Sequence, residues 1–314
     1  MDPDPGRIRH YCDFYRPPGT PPPDDRPLWL VWGNCQAEAL RRVLDAVPGR
    51  PYRTARVPPV FELQHTDMPF VEALLARTTV LLTQPVRARY RDMPIGAPDL
   101  LEHLPRGAAV LRWPVIRYAG LYPFHALARH PADRSITPPG VPYHDLRTVA
   151  SARARRPASD PWDVDVAAGQ VRAVAAASVK ELARRERDTD VAISDVLMTY
   201  GADAAHTINH PGNSVLSELA RRVLNARDVS AAVPPLVAPL LGSVWAPLET
   251  RVLSALGIDA TPRPRWRLEG AELDPQHVHT TQLTWYQRNP DFIELTVRRH
   301  YETMRTLGLL GATR

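Results

Sequence analysis

The feature that most constrains this chain is the run Leu28-Trp29-Leu30-Val31-Trp32-Gly33-Asn34-Cys35-Gln36. Five consecutive large apolar residues suit a strand buried on both faces, because such a strand needs no polar alternation. Gly33 interrupts the run. Beyond it Ala37, Leu40, Val43, Leu44 and Val47 follow the 3.6-residue period of a helix. The segment reads as a strand, a turn and a helix, and a strand apolar on both sides calls for a sheet covered by helices on both faces.

Two more units of this kind follow. Asp67 is placed to cap a helix through Phe70, Val71, Leu74 and Leu75, and residues 78–83 then read as a buried strand ending at Gln84-Pro85. A helix near residues 98–104 precedes a strand over 108–113, closed by Pro114. This alternation predicts an α/β fold with a mostly parallel sheet flanked by helices.

The rest of the chain differs in texture. Residues 1–27, with Pro17-Pro18-Gly19 and Pro21-Pro22-Pro23, predict an extended proline-rich arm, to which Tyr11, Phe14 and Tyr15 give a means of docking. After a proline-rich linker at 157–161, an alanine-rich helix is expected over 164–187 and another over 214–224. A helix-like stretch near 239–256 and a final helix over 290–307 complete the pattern. The division expected is an arm (1–27), an α/β catalytic domain (28–230) and a mainly helical C-terminal extension or cap (231–314).

Composition narrows the class. Over 314 residues, 44% apolar and 23% charged content is that of a globular chain. The net charge of +5 rests almost wholly on arginine, Lys180 being the only lysine. The arginines are scattered in pairs such as Arg41-Arg42 and Arg221-Arg222, several beside acids, and no nucleic-acid-binding pattern accompanies them. They read as solvated helix faces, and no nucleic-acid partner is expected. Cys12 and Cys35 cannot form a disulfide framework, and no apolar stretch approaches the roughly 20 residues of a membrane span. A soluble, cytoplasmic protein is expected.

In open α/β sheets, ligands bind beyond the carboxyl ends of the strands. If the three strands are parallel neighbours, Cys35 and Gln84 share one crevice. A cysteine opening a helix faces unpaired N–H groups and the positive end of the helix dipole, both of which stabilise a thiolate. A small buried cysteine filling space is the plainer alternative. His210, in the polar loop Thr207-Ile208-Asn209-His210-Pro211-Gly212-Asn213, stands where a general base could serve such a thiol. Asp195 and Asp203 are the nearby carboxylates, and Asp203 with His206 forms a rival Asp-x-x-His pair. His277 and His279 after Asp274-Pro275 read as surface loop histidines, because no third metal ligand stands near them.

The run Gly33-Asn34-Cys35-Gln36-Ala37-Glu38-Ala39-Leu40 resembles the opening Gly-Asn-Cys-Gln signature of the WcbI-type acetyltransferases of bacterial polysaccharide biosynthesis. Gln84-Pro85, Arg112-Trp113-Pro114, the segment from Arg185-Glu186 to Asp195, and Asn209-His210-Pro211 follow in a similar order, so the resemblance covers roughly residues 28–225. It implies an SGNH-hydrolase-like three-layer fold with cysteine in place of serine. It further implies coenzyme A as acyl donor, no metal, and a sugar or small-molecule hydroxyl as acceptor, in polysaccharide or secondary metabolism. Cys35 would be the nucleophile, His210 the base and Asp195 the acidic member. Asn34, Gln36, Gln84 and Asn209 would contact the oxyanion or substrate, and Arg87 and Arg112 the coenzyme's phosphates. A thioesterase or deacylase on the same site is a second reading, and a non-catalytic partner subunit a third. A homo-oligomer or a pathway partner protein is left open.

Overall fold

A computed structural model describes residues 4–17, 20, 24–130, 133 and 135–310. Of the proline-rich arm, Pro18, Gly19 and Pro21, Pro22 and Pro23 lie outside the described residues. The chain forms two compact units interleaved in sequence. The first comprises Met1–Ile116, Leu182–Met198 and Gly212–Leu241; the second comprises Arg117–Glu181, Thr199–Pro211 and Gly242–Arg314.

The first unit holds a four-stranded sheet in the order β2-β1-β3-β4, formed by β1 (Leu28–Trp32), β2 (Arg53–Thr54), β3 (Thr78–Thr83) and β4 (Ala109–Arg112). Every neighbouring pair is parallel. All five residues of β1 are buried, as its unbroken apolar run requires. The helices of this unit are α1 (Pro5–His10), α2 (Cys35–Asp45), α3 (Met68–Leu75) and α4 (Ala97–Leu101), followed much later by Asn213–Asn225. On α2, Ala37, Ala39, Leu40, Val43 and Leu44 are buried, the stripe anticipated from their spacing.

The arm is not extended where it is described. Pro5 sits in the first turn of α1, where its missing N–H costs no hydrogen bond, and the Asp4 side chain caps that turn. Phe14 and Tyr15 then sink into the same apolar cluster as Leu28, Leu30 and Leu81. The anchor is polar as well: the buried Asp67 carboxylate accepts from Arg7 at 2.9 Å and from the Tyr15 hydroxyl at 2.8 Å. Asp67 also accepts from the Gln64 backbone N–H, so it closes the turn ahead of α3 and does not cap α3 with its side chain.

The second unit is mainly helical, with helices Leu146–Arg153, Thr250–Leu256, Pro275–Arg288, Asp291–Arg299 and Tyr301–Thr306. They close on a core that includes Phe124, Leu146, Tyr286, Phe292 and Met304. Three expectations are corrected here. Within 239–256 only Thr250–Leu256 is helical, and Val244–Trp245 instead joins an antiparallel sheet with Trp266–Leu268 and Ala271–Leu273. The final helix is broken at His300, which leaves helical backbone angles. The Asp274-Pro275 pair that suggested a loop is a helix start, with Asp274 as the cap and Pro275 in the first turn, so His277 and His279 lie on a helix.

Candidate active site

Register decides where the loops of the first unit meet. Trp32 is paired with Thr83, and Thr83 with Arg112, so β1, β3 and β4 end at one level. The residues that follow are therefore neighbours, and Asn34, Cys35, Gln36 and Gln84 come together as the strand assignments required. The Gln84 Oε1 accepts the Asn34 backbone N–H at 2.9 Å, and Gln84 Nε2 donates to Gln36 Oε1 at 3.2 Å. Gln36 in turn donates through Nε2 to the Ile116 carbonyl at 2.7 Å and accepts from the Ile116 N–H at 3.0 Å.

This linkage reassigns two expected substrate contacts. Gln36 and Gln84 are buried, and their amides join one loop to the next. They hold the turn that presents Cys35. Asn34 is the N-cap of α2, its side chain accepting from the Gln36 N–H at 2.8 Å. Gly33 is required by close approach, since a Cβ there would stand 2.4 Å from Gln84 Oε1.

Cys35 is the first residue of α2, half-buried, and lines a cavity of about 560 Å³ within the first unit. Its walls include Tyr11, Glu38, Arg41, Arg42, Arg56, Val57, Leu240 and Leu241. Glu38 holds Arg41 at 2.6 Å and Arg56 at 3.4 Å. Three guanidiniums against one carboxylate leave the cavity cationic, suited to an anionic ligand beside a thiol. Arg87 and Arg112, expected to serve the coenzyme, are exposed and are not among its walls. A periodicity argument could have found Arg42 and Glu38, since positions 35, 38 and 42 share one face of α2. Tyr11 and Arg56 come from distant segments and carry no such signal.

Asn209 and His210 belong to the second unit. Asn209 Oδ1 accepts from the Tyr143 hydroxyl at 2.8 Å. His210 Nδ1 is buried and has no hydrogen-bond partner among the described residues, and burial lowers the imidazole to about 4. Asp195, in the first unit, gives both its oxygens to Arg222, at 2.7 and 2.8 Å, which holds the carboxyl below its usual range. The Asp203–His206 pair is not formed. Both ring nitrogens of His206 lack partners among the described residues, and the ring packs on Trp245 with centroids 3.7 Å apart. His279 is buried against Thr148 Oγ1 at 2.8 Å, and no cluster of three or more metal-binding side chains occurs among the described residues.

The family model of the polysaccharide biosynthesis enzyme WcbI matches residues 28–232. The chain belongs to the WcbI family. A solved WcbI structure, described as a novel polysaccharide biosynthesis enzyme, superposes with a TM-score of 0.72 at 18% identity. The match covers 91% of this chain and 99% of that one. That structure is described as the native protein without a disulfide bond between coenzyme A and one of its cysteines. No curated protein matches the chain. The WcbI match begins at the first residue of β1, so the docked arm with Tyr11 precedes the matched region. No described helix is long and apolar enough to cross a membrane.

Proposed function

We propose that this WcbI-family protein transfers an acyl group, most simply acetyl, from acyl-coenzyme A to a hydroxyl of a sugar or related acceptor through Cys35. The observation that carries the reading is the position of Cys35: the first residue of an eleven-residue helix, opening onto a cationic cavity. The helix N-terminus stabilises the thiolate. Arg42 and Arg56, with Arg41 behind them, suit the phosphates of the coenzyme. The coenzyme A named with the solved WcbI structure supports the same donor.

In the proposed step the Cys35 thiolate adds to the thioester carbonyl, and the electron pair moves to the carbonyl oxygen. The positive end of the α2 dipole is suited to that oxyanion. Collapse of the adduct breaks the bond to the coenzyme sulfur, which leaves as thiolate and takes a proton. An acceptor hydroxyl, giving its proton to neutral His210, then attacks the acyl-Cys35 thioester and regenerates the thiolate, and the imidazolium releases that proton to water, balancing the one the coenzyme sulfur took from water. Burial favours the neutral imidazole, the form a base requires.

The test is intact-protein mass after incubation with acetyl-coenzyme A. An acetyl adduct on the wild type that is absent from Cys35→Ala is expected. A wild type that stays unmodified while still transferring acetyl groups at the same rate as Cys35→Ala would exclude the covalent route.

A further inference from the structure

The second unit contains a cavity of about 350 Å³ that plays no part in the cysteine site, and its walls combine buried polar groups with aromatic faces. We infer that this cavity binds a neutral sugar ring.

Shape and chemistry both favour a saccharide. The volume lies at the small end of the roughly 300–1,000 Å³ usual for ligand pockets, suited to one ring and not to a coenzyme. Trp162 and Trp266 line the cavity with apolar ring surface, and both are held by neighbours, Trp162 also by the Arg147 guanidinium 4.5 Å from its ring centroid. Trp266 packs against His125 at 4.6 Å and Tyr143 at 5.7 Å, and Trp162 stacks on His279 at 4.8 Å.

The polar wall retains hydrogen-bonding capacity. Gln282 is fully buried and its Nε2 faces the carbonyls of Pro139, Val141 and Tyr143, which fixes the amide orientation. Its Oε1 has no partner among the described residues, and neither has His125 Nδ1. Hydroxyls, which both donate and accept, match this pair. An anion does not. Arg147 is already engaged by Asp145 at 2.7 Å, Asp163 at 2.7 Å and Glu249 at 3.0 Å, leaving no unshared cation in the wall.

One link joins the cavity to the candidate base. Tyr143, a wall residue, donates to Asn209 Oδ1, and Asn209 precedes His210 in the same unit. A sugar bound against Tyr143 therefore lies on the side of the unit that carries the base.

Saturation-transfer NMR and calorimetry on the full chain test this, with the methyl pyranosides of glucose, galactose, mannose, rhamnose and N-acetylglucosamine as probes and glucose 6-phosphate as the anionic control. Saturable binding of at least one neutral probe is expected, weakened about tenfold or more by Trp162→Ala and largely restored by Trp162→Phe. Cys35→Ala should bind the same probe unchanged. Absence of binding by every neutral probe, or equal binding by Trp162→Ala, would overturn the sugar site. Preference for glucose 6-phosphate would overturn its neutral class.

Discussion

At the scale of single residues, this site is a turn held by amides. Gln84 reaches back to the Asn34 N–H, and Gln36 is tied to the Ile116 backbone, so the thiol is presented by side chains that never leave the interior. Gly33→Ala would drive a methyl group into Gln84, which is buried and has nowhere to move. A loss of about 1–3 kcal/mol in urea unfolding is expected, the usual range for overpacking, with a changed rate of Cys35 alkylation. An unchanged midpoint would show that the turn yields. For His210 the argument concerns acidity. Burial holds it near 4, against an ordinary value of 6.5, so it stays neutral and basic well below pH 6. The acid limb of the acyl-transfer rate is therefore expected near pH 4 and should vanish from the residual activity of His210→Ala. A wild-type limb at pH 6–7 would contradict the assignment.

At the scale of elements, the docked arm and α2 share the Cys35 cavity. Tyr11 lines it directly after α1, and the Arg56 guanidinium lies 5.6 Å from the Tyr11 ring centroid. The arm is clasped by Arg7, which bonds Asp67, Tyr15 and the Glu62 carbonyl. Arg7→Ala leaves the buried Asp67 carboxylate without its cation, a cost of roughly 1–3 kcal/mol. Faster proteolysis within the first 20 residues, together with weaker coenzyme A binding, is the expected outcome. Weaker binding without faster cleavage would place the effect elsewhere. On α2, Arg42 makes no side-chain ion pair among the described residues and has no acid to satisfy. Arg42→Ala should raise the Kd of coenzyme A about five- to tenfold, more at low salt than at high, with little change in stability. Equal loss at both ionic strengths would argue against a phosphate contact.

At the scale of the whole molecule, four histidines are pushed by burial to about 4, and all belong to the second unit: His125, His144, His206 and His210. Each binds its proton more readily when unfolded, near 6.5. Their neutral burial therefore supports folding fully above about pH 6.5, and that support is lost as pH falls from 6.5 towards 4. Hydrogen exchange at pH 7, 5.5 and 4.5 should show the second unit losing protection before the first. Parallel loss in both units would mean that the carboxylates dominate. In the first unit Asp195, and in the second Asp145 and Asp163, are held below the ordinary carboxyl range by arginine partners, and they yield only at lower pH.

The sequence by itself determined the parallel sheet and the cysteine turn. Apolar runs and helical periods are local, and an apolar strand followed by Gly33 and a capped helix admits few alternatives. It also placed Gln84 beside Cys35, because parallel strands of similar length end together. Tertiary structure decided what those residues do. Whether Gln36 faces a ligand or Ile116, and that Asp195 is held by Arg222, depends on partners 80 and 27 positions away. The same holds for the arm: its prolines and acids suggested an extended tail, whereas the burial of Phe14 and Tyr15 requires an apolar surface built by residues 28–100. The second unit was least legible. Its strands are two or three residues long, too short for any period to declare itself, and its ion pairs and aromatic faces meet only once distant segments are packed.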